Sequence, residues 1–440
     1  MASTKIYRTL STPTNTDKGT ISLWLKKAKL DGNMGIVENF GDNNNRAILY
    51  WNGNEQLSYF DAAAGDSNYS TARFRDLSGA WMHIVLRIDS SQASASDRVR
   101  TYINGNLLAV NNTIYQQNEN SYMFNSGTQM AFGTDTSSNP TDYMEGAMSH
   151  IHYCDGQSYA PTEFGETDAI TGEWKIKTSP NVSYGSQGFW WLKDNNSTTD
   201  NSPNSNTATI SGTLTKTEDC PSNVFATMNA LFNSNSNLTY ANGNTKPTTT
   251  AQWLATFSTL PMFQGKYYWE FKGDPNFMVG VAQLNSDATE TAQMSTANTG
   301  YSSRFATGYE IINGGNKSNN NNSSTSYGPS YSSSDIGMIA FDATNGVLWF
   351  GKNGTWSNSA TQTQIENGTS TNAAYTGLTN SNGYVASCSV ENGHVEFNFG
   401  NGYFGTTAVS SAGTNASGNG IFEYDVPTGY TALSTKGLNL

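Results

Sequence analysis

The sequence predicts an all-β protein built as two antiparallel β-sandwiches in tandem, and three observations predict it. Charged residues are only 13% of the chain, against roughly 25% in ordinary globular proteins, and Gly, Asn, Ser and Thr fill the polar positions instead. That is the composition of short strands joined by many turns. No window carries apolar residues at helical spacing with caps at both ends, whereas alternating apolar and polar runs recur throughout. Finally, 440 residues is about twice the length at which one sandwich stops growing. Two domains follow, each long enough to bury its own core.

In the first half, Ile21, Leu23 and Leu25 alternate with Ser22 and Trp24, and strands are predicted next at Gly35 to Phe40, Ala47 to Trp51 and Gln56 to Phe60. Trp81 to Asp89 carries apolar residues on both faces, as a central strand covered on two sides would. From Arg98 to Ala109 two alternating runs flank Asn104-Gly105, a dipeptide that supplies the two positive φ angles of a type I′ hairpin. Strands at Gln129 to Gly133 and Tyr143 to Tyr153 complete this half, with Thr207 to Leu214 as a weak last strand. The polar stretch from Lys193 to Asp219 has almost nothing large to bury, which places the domain boundary near Lys216 and gives domains 1–216 and 217–440.

The second half predicts strands at Tyr267 to Phe271, Phe277 to Gln283, Gly308 to Ile312, Ile336 to Asp342, Gly346 to Gly351, Tyr384 to Val390 and Val395 to Phe399. Turns are expected at Lys272-Gly273, Asn345-Gly346 and Asn353-Gly354. Asn313 to Asp335 is so poor in apolar residues that a long exposed loop is expected, the usual place for binding on a rigid β scaffold.

Several function classes are disfavoured by composition. A formal net charge of −12 opposes nucleic-acid binding, which depends on Lys and Arg. No apolar run approaches the ~20 residues of a membrane span, and Met1 to Lys5 is not followed by the apolar core of a signal peptide, so a cytoplasmic origin is expected. Cys154, Cys220 and Cys388 are too few and too scattered for a disulfide framework or a zinc knuckle. The triplets at Asn68 and Asn237 fit glycosylation only as chance would in so Asn- and Ser-rich a chain.

Some blocks carry a family resemblance. Gly19-Thr20-Ile21-Ser22-Leu23-Trp24-Leu25, Gly79-Ala80-Trp81-Met82-His83-Ile84-Val85, Ser96 to Gly105, Asp155 to Pro161 and Phe164 to Asp168 resemble the laminin-G-like, concanavalin-type jelly rolls of tailed marine bacteriophages. Gly265 to Glu270, Val279 to Ala282, Asp335 to Asp342, Trp349 to Gly354 and Asn398-Phe399-Gly400 resemble a SPRY domain, another concanavalin-like sandwich. The tandem, joined by a stretch like Asp219 to Asn229, resembles phage particle components. What this implies is a virion protein touching capsid, tail or fibre partners and host-surface glycans, forming homo-oligomers, with no enzymatic activity. Met148-Ser149-His150 departs from the phage pattern, which commonly has an acid there.

Candidate chemistry is sparse. Jelly-roll glycosidases carry Glu-x-Asp-x-x-Glu on one strand, and here Glu166-Thr167-Asp168 is followed by Thr171 in place of the third acid. Asp287 and Glu290 read as solvated loop charges. His150, His152 and Cys154 have period-two spacing, a legal zinc pattern, but structural zinc rarely takes three ligands from one strand. His83 reads as structural. No cofactor is expected, while calcium bound through scattered loop oxygens would leave no linear motif; Asp42 with Asn43, and Asp61 with Asp66, are its weak candidates. For ligand binding the loop aromatics Tyr301, Tyr309, Tyr327, Tyr331 and Trp356 are the candidates, through stacking on sugar rings or packing on a partner. For Tyr327 and Tyr331, anchoring the loop to its own sandwich is the equal alternative.

Overall fold

The computed structural model describes residues 4–30, 32–77, 79–135, 142–193, 197–233, 237–283, 300–319, 324–379 and 381–439. It is 43% strand and 5% helix, all-β with antiparallel sheets. The chain divides into two compact units, Met1–Asp76 with Ala80–Lys216, and Leu77–Gly79 with Thr217–Leu440.

The first unit is a two-sheet sandwich. A seven-stranded sheet runs, in spatial order, Thr209–Ser211, Lys5–Thr9, Gln129–Phe132, Met34–Asp42, Asn45–Trp51, Leu57–Asp61 and Asp66–Tyr69. A six-stranded sheet runs Phe189–Trp191, Gly146–Asp155, Lys18–Lys27, Met82–Asp89, Val99–Ile103 and Asn106–Leu107. Between them lies one core in which Ile6, Val37, Leu49 and Phe132 meet Leu23, Leu25, Ile84, Leu86 and Ile151, all essentially buried. Alternation along each strand selects these residues, because successive side chains leave opposite faces of a pleated sheet. The strand at Lys5–Thr9 had no clear signal in sequence; Ile6 is its one core residue. Asn104 and Gly105 take φ of 48° and 78°, as the hairpin there requires.

Beyond the six-stranded sheet a second apolar layer forms from Val85, Tyr102, Cys154, Phe164, Tyr184 and Trp190. It explains why both faces of Met82–Asp89 are buried.

The second unit is organised by two long strands, Lys266–Gln283 and Tyr384–Asn398, paired antiparallel with an irregularity between Asp274 and Asn276. One half of the pair continues through Leu254–Ser258 on one side and Gly308–Ile312 on the other. The other half continues through Lys246–Thr249 and through Gly337–Asp342 and Val347–Lys352. Both strands therefore belong to two layers, and the core between them holds Trp269, Phe271, Val279, Val281, Phe341, Phe350 and Phe397.

Three expectations are corrected here. Lys272-Gly273 is not a turn, because the strand continues through it: a Cβ on Gly273 would lie 2.4 Å from the Phe277 ring, so the missing side chain admits that ring rather than a reversal. Tyr384 to Val390 and Val395 to Phe399 are likewise one strand. Part of Asn313 to Asp335 is not a free loop: Asn316–Ser318 pairs with Glu310-Ile311 and with Ser324–Ser326, extending the sheet, while 320–323 lie outside the described residues.

Candidate functional site

On the outer face of the seven-stranded sheet, polar and aromatic side chains converge on open space. Cross-strand register sets Tyr7, Ala131, Glu38, Ile48, Phe60 and Ser67 in one row across six strands. Arg46 and Tyr50 lie on the same face, two residues either side of Ile48. Here Asn33, Gly35, Arg46, Ile48, Tyr50, Phe60, Asp135 and Asp142 line a cleft of about 230 Å³. A Cβ on Gly35 would fall 2.3 Å from the Thr134 carbonyl carbon, so glycine lets the 134–135 backbone close down as one wall.

Arg46 organises the charge. Its Nη1 lies 3.6 Å from Glu38 Oε1 and 3.9 Å from Asp135 Oδ1, and its guanidinium sits 5.5 Å from the centre of the Phe60 ring. The Glu38 side chain is fully buried beside Arg46, while Asp135 and Arg46 are partly exposed. Burial raises the Tyr50 phenol above its ordinary value, which keeps it a neutral hydroxyl able to donate and to accept. The cleft is thus lined by Ile48, Phe60 and Tyr50 together with an amide, a guanidinium and carboxylates, a set suited to a ligand rich in hydroxyls.

The outer face of the six-stranded sheet is closed. His83 lies between two indoles, 4.9 Å from Trp24 and 5.9 Å from Trp174 by ring centres, both stacked. Trp174 Nε1–H donates to His83 Nδ1 at 3.0 Å, which leaves the proton on Nε2 to be donated to Ser22 Oγ at 2.8 Å. Burial lowers this histidine to about 3, so it is neutral and structural. The His-x-His-x-Cys pattern is absorbed by the same layer. His150 sits at a β-bulge with φ 48°, its Nδ1 bonded to Ser149 Oγ; His152 Nδ1 bonds the Tyr184 hydroxyl and its ring packs 4.8 Å from Trp190. Burial pushes the Cys154 thiol well up, away from the thiolate that zinc requires. Among the described residues no three His, Cys, Asp or Glu side chains are grouped to hold a metal.

The loop acids have structural employment. Asp61, a weak calcium candidate, is buried and accepts from the hydroxyls of Tyr59, Tyr115 and Ser121, with burial raising its carboxyl. Asp42 closes its own turn by accepting from Asn44 N and Asn45 Nδ2. Asp168 caps the hairpin between Gly165–Thr167 and Trp174–Ile176, accepting from the backbone N–H groups of Thr171 and Ile170, which hold it well below the usual carboxylate range. Asp287 and Glu290 lie outside the described residues.

The predicted ligand aromatics of the second unit are mostly turned inward. Tyr327 and Tyr331 are 5% and 8% exposed; their hydroxyls donate to Asn372 O and Gly351 O, and Tyr331 packs 5.5 Å from Phe271. Tyr301 is wedged between Phe257 and Phe305. Trp356 is buried, with Nε1 bonded to Gln362 Oε1. Only Tyr309 is half-exposed, and it leans on Tyr375 and Tyr384. The polar segments around these rings have little else to cover the sheet, so the aromatics go inward as anchors.

Sequence reasoning missed the cleft residues because strand parity alone marks Arg46, Ile48 and Tyr50 as one face without saying whether that face is covered. The signal it could have used is Arg46-x-Ile48-x-Tyr50, alternating against Ala47-x-Leu49-x-Trp51 in the core.

Residues 3–156 match the model of the concanavalin A-like lectin/glucanases superfamily. Among solved structures, a heptameric SAP-like pentraxin from Limulus polyphemus is similar at 10% identity and TM-score 0.29, covering 42% of this chain and 90% of that one. The SPRY domain of human HERC1 is similar at 13% identity and TM-score 0.29, covering 39% of this chain and 96% of that one. Domain 4 of the arabinanase AbnA from Geobacillus stearothermophilus, solved with arabinotriose, is similar at 18% identity and TM-score 0.25, covering 34% of this chain and 65% of that one. No curated protein matches the chain.

Proposed function

We propose that the chain is a non-enzymatic adhesion protein whose first unit holds a glycan in the cleft around Arg46, and that it works as a structural component of a tailed-phage particle, made in the host cytoplasm and carried on the virion. The cleft carries the binding half of this reading: apolar surface beside hydrogen-bonding groups is how saccharides are held. The particle half, with capsid or tail partners and homo-oligomers, rests on the sequence blocks that resemble phage jelly-roll and SPRY domains.

The absence of enzymatic activity is supported by the use made of the carboxylates. Glu38 and Asp135 face one guanidinium from two sides, an arrangement that fixes acceptors, whereas glycoside cleavage sets a protonated acid and a second carboxylate across the scissile bond. No cofactor enters this reading. A free bacterial lectin would use the same cleft and differ in where the protein resides.

Two measurements test the proposal. On a glycan array the wild-type chain should bind and Phe60→Ala should not; equal binding by both removes the cleft from the reading. Antibody labelling of purified phage particles should decorate them, and label confined to bacterial cells or medium would favour the free lectin.

A further inference from the structure

We infer that the glycan site extends beyond the cleft: Tyr69, on the edge strand of the seven-stranded sheet, is a second stacking platform, and the first unit takes an extended run of sugars in preference to a single one. This rests on the glycan reading above and adds the length and shape of the chain that is held. Strand pairing sets Tyr50 opposite Ser58 and Ser58 opposite Tyr69, so the three share one row and one face of successive strands, and Phe60, two residues from Ser58, shares that face. Tyr50 and Phe60 line the cleft, and Tyr69 lies outside its lining. Ser58 is short and only 2% exposed, so the surface over it belongs to its larger neighbours. Tyr50 and Tyr69 are two strand spacings apart, about 10 Å at the backbone, which is wider than one sugar ring. A single sugar in the cleft leaves Tyr69 uncovered, whereas a chain crossing the strands lays a later ring on it.

Tyr69 is presented on a firm backbone. It is 40% exposed, on the strand at the end of the sheet. Its N–H donates to Asn111 Oδ1 at 2.7 Å, and the Asn111 N–H donates to the Tyr69 carbonyl at 3.1 Å. These two bonds occupy the edge at that residue, so its ring, and not its backbone, is what it offers to a ligand. Tyrosine also has few rotatable bonds, so holding its ring against a sugar face costs little entropy. Because stacking there adds no backbone hydrogen bond, it is read in affinity rather than in backbone exchange. The row crosses three neighbouring strands in a line, which suits a chain that is itself a ribbon with its ring faces near one plane, as β-1,4-linked glucose is. A coiled α-1,4-linked chain turns away after the first ring. The occupant that the row favours is therefore a β-1,4-linked chain.

The test is calorimetric titration of the full chain with cellobiose, cellotetraose and cellohexaose, and with maltose and maltohexaose as the coiled counterparts. Affinity should rise about tenfold from cellobiose to cellohexaose, the gain expected from stacking on one more ring, and should not rise from maltose to maltohexaose. Tyr69→Ala should erase the rise and leave cellobiose binding unchanged, while Tyr69→Phe, which keeps the ring and guards against a folding defect, should restore it. Equal affinity for cellobiose and cellohexaose, or a Tyr69→Ala effect on both alike or on neither, overturns the second platform and leaves the glycan reading standing. A gain with length in the malto series equal to that in the cello series overturns the ribbon selection. If no cello-oligomer binds, the inference falls, and the array with Phe60→Ala decides the glycan reading separately.

Discussion

The two outer faces of the first unit start from the same sequence pattern and end in opposite states. Over the six-stranded sheet, Trp24, His83, His152 and Trp190 are covered by Phe164, Trp174 and Tyr184, and every polar atom of His83 is committed inside the protein. Over the seven-stranded sheet, Arg46, Tyr50 and Phe60 line an open cleft. The strands alternate equally well in both, so what separates a second core from a binding face is whether the chain supplies a further layer. In the first unit that layer comes from residues 159–184, and among the described residues it lies over the six-stranded sheet.

The comparison breaks most visibly if the covered face is hollowed out. Trp24 is 4% exposed and stacked on His83, so Trp24→Ala should cost about 3 to 5 kcal/mol and lower the melting temperature of the first unit, while glycan binding per folded molecule stays the same. A loss under about 1 kcal/mol would mean that the covering layer is not a second core. Tyr331→Ala should cost the second unit about 3 kcal/mol by the same logic, and ligand binding should again be unaffected.

Acid sharpens the contrast. His83 is lowered to about 3 in the folded chain against about 6.5 unfolded, so its contribution to stability is full above pH 6.5. As pH falls below 6.5 the unfolded chain takes up a proton that the native site refuses, and stability drops by about 1.4 kcal/mol per pH unit until about pH 3. His83→Gln should flatten that part of the profile in urea titrations between pH 6 and pH 4, by about 2 kcal/mol across the range. An unchanged slope would put the acid sensitivity elsewhere. The smallest effect belongs to the open face: Phe60→Ala should change stability by no more than about 1 kcal/mol, because its ring is only half-buried, yet abolish binding.

These outcomes bear on how far the sequence was legible. The core strands of the first unit could be read from parity, as in Ile21, Leu23 and Leu25, because burial on one face imposes a strict period of two. The second unit's long strands read as broken, since Gly273 and Asn392-Gly393 look like turns until one knows that Phe277 packs over the first and that both strands bend between layers there. The site was harder. Tyr327 and Tyr331 stood out as lone large residues in a polar loop, and that isolation is also why they are buried: they are what the loop has to anchor itself with. Asp135 and Asp142 reach the cleft from outside the strands that carry Arg46, and no local pattern joins them to it.

The account's central claim is that the open face around Arg46 binds and the covered aromatics do not. Hydrogen–deuterium exchange of the full chain, with and without a saturating glycan found to bind on the array, tests it most directly. The account predicts slowed exchange confined to peptides spanning 33–60 and 131–145, with no change over 165–176 or 313–335. Protection centred on the hairpin at 165–176 or on the segment holding Tyr327 and Tyr331, with 33–60 unaffected, would contradict it.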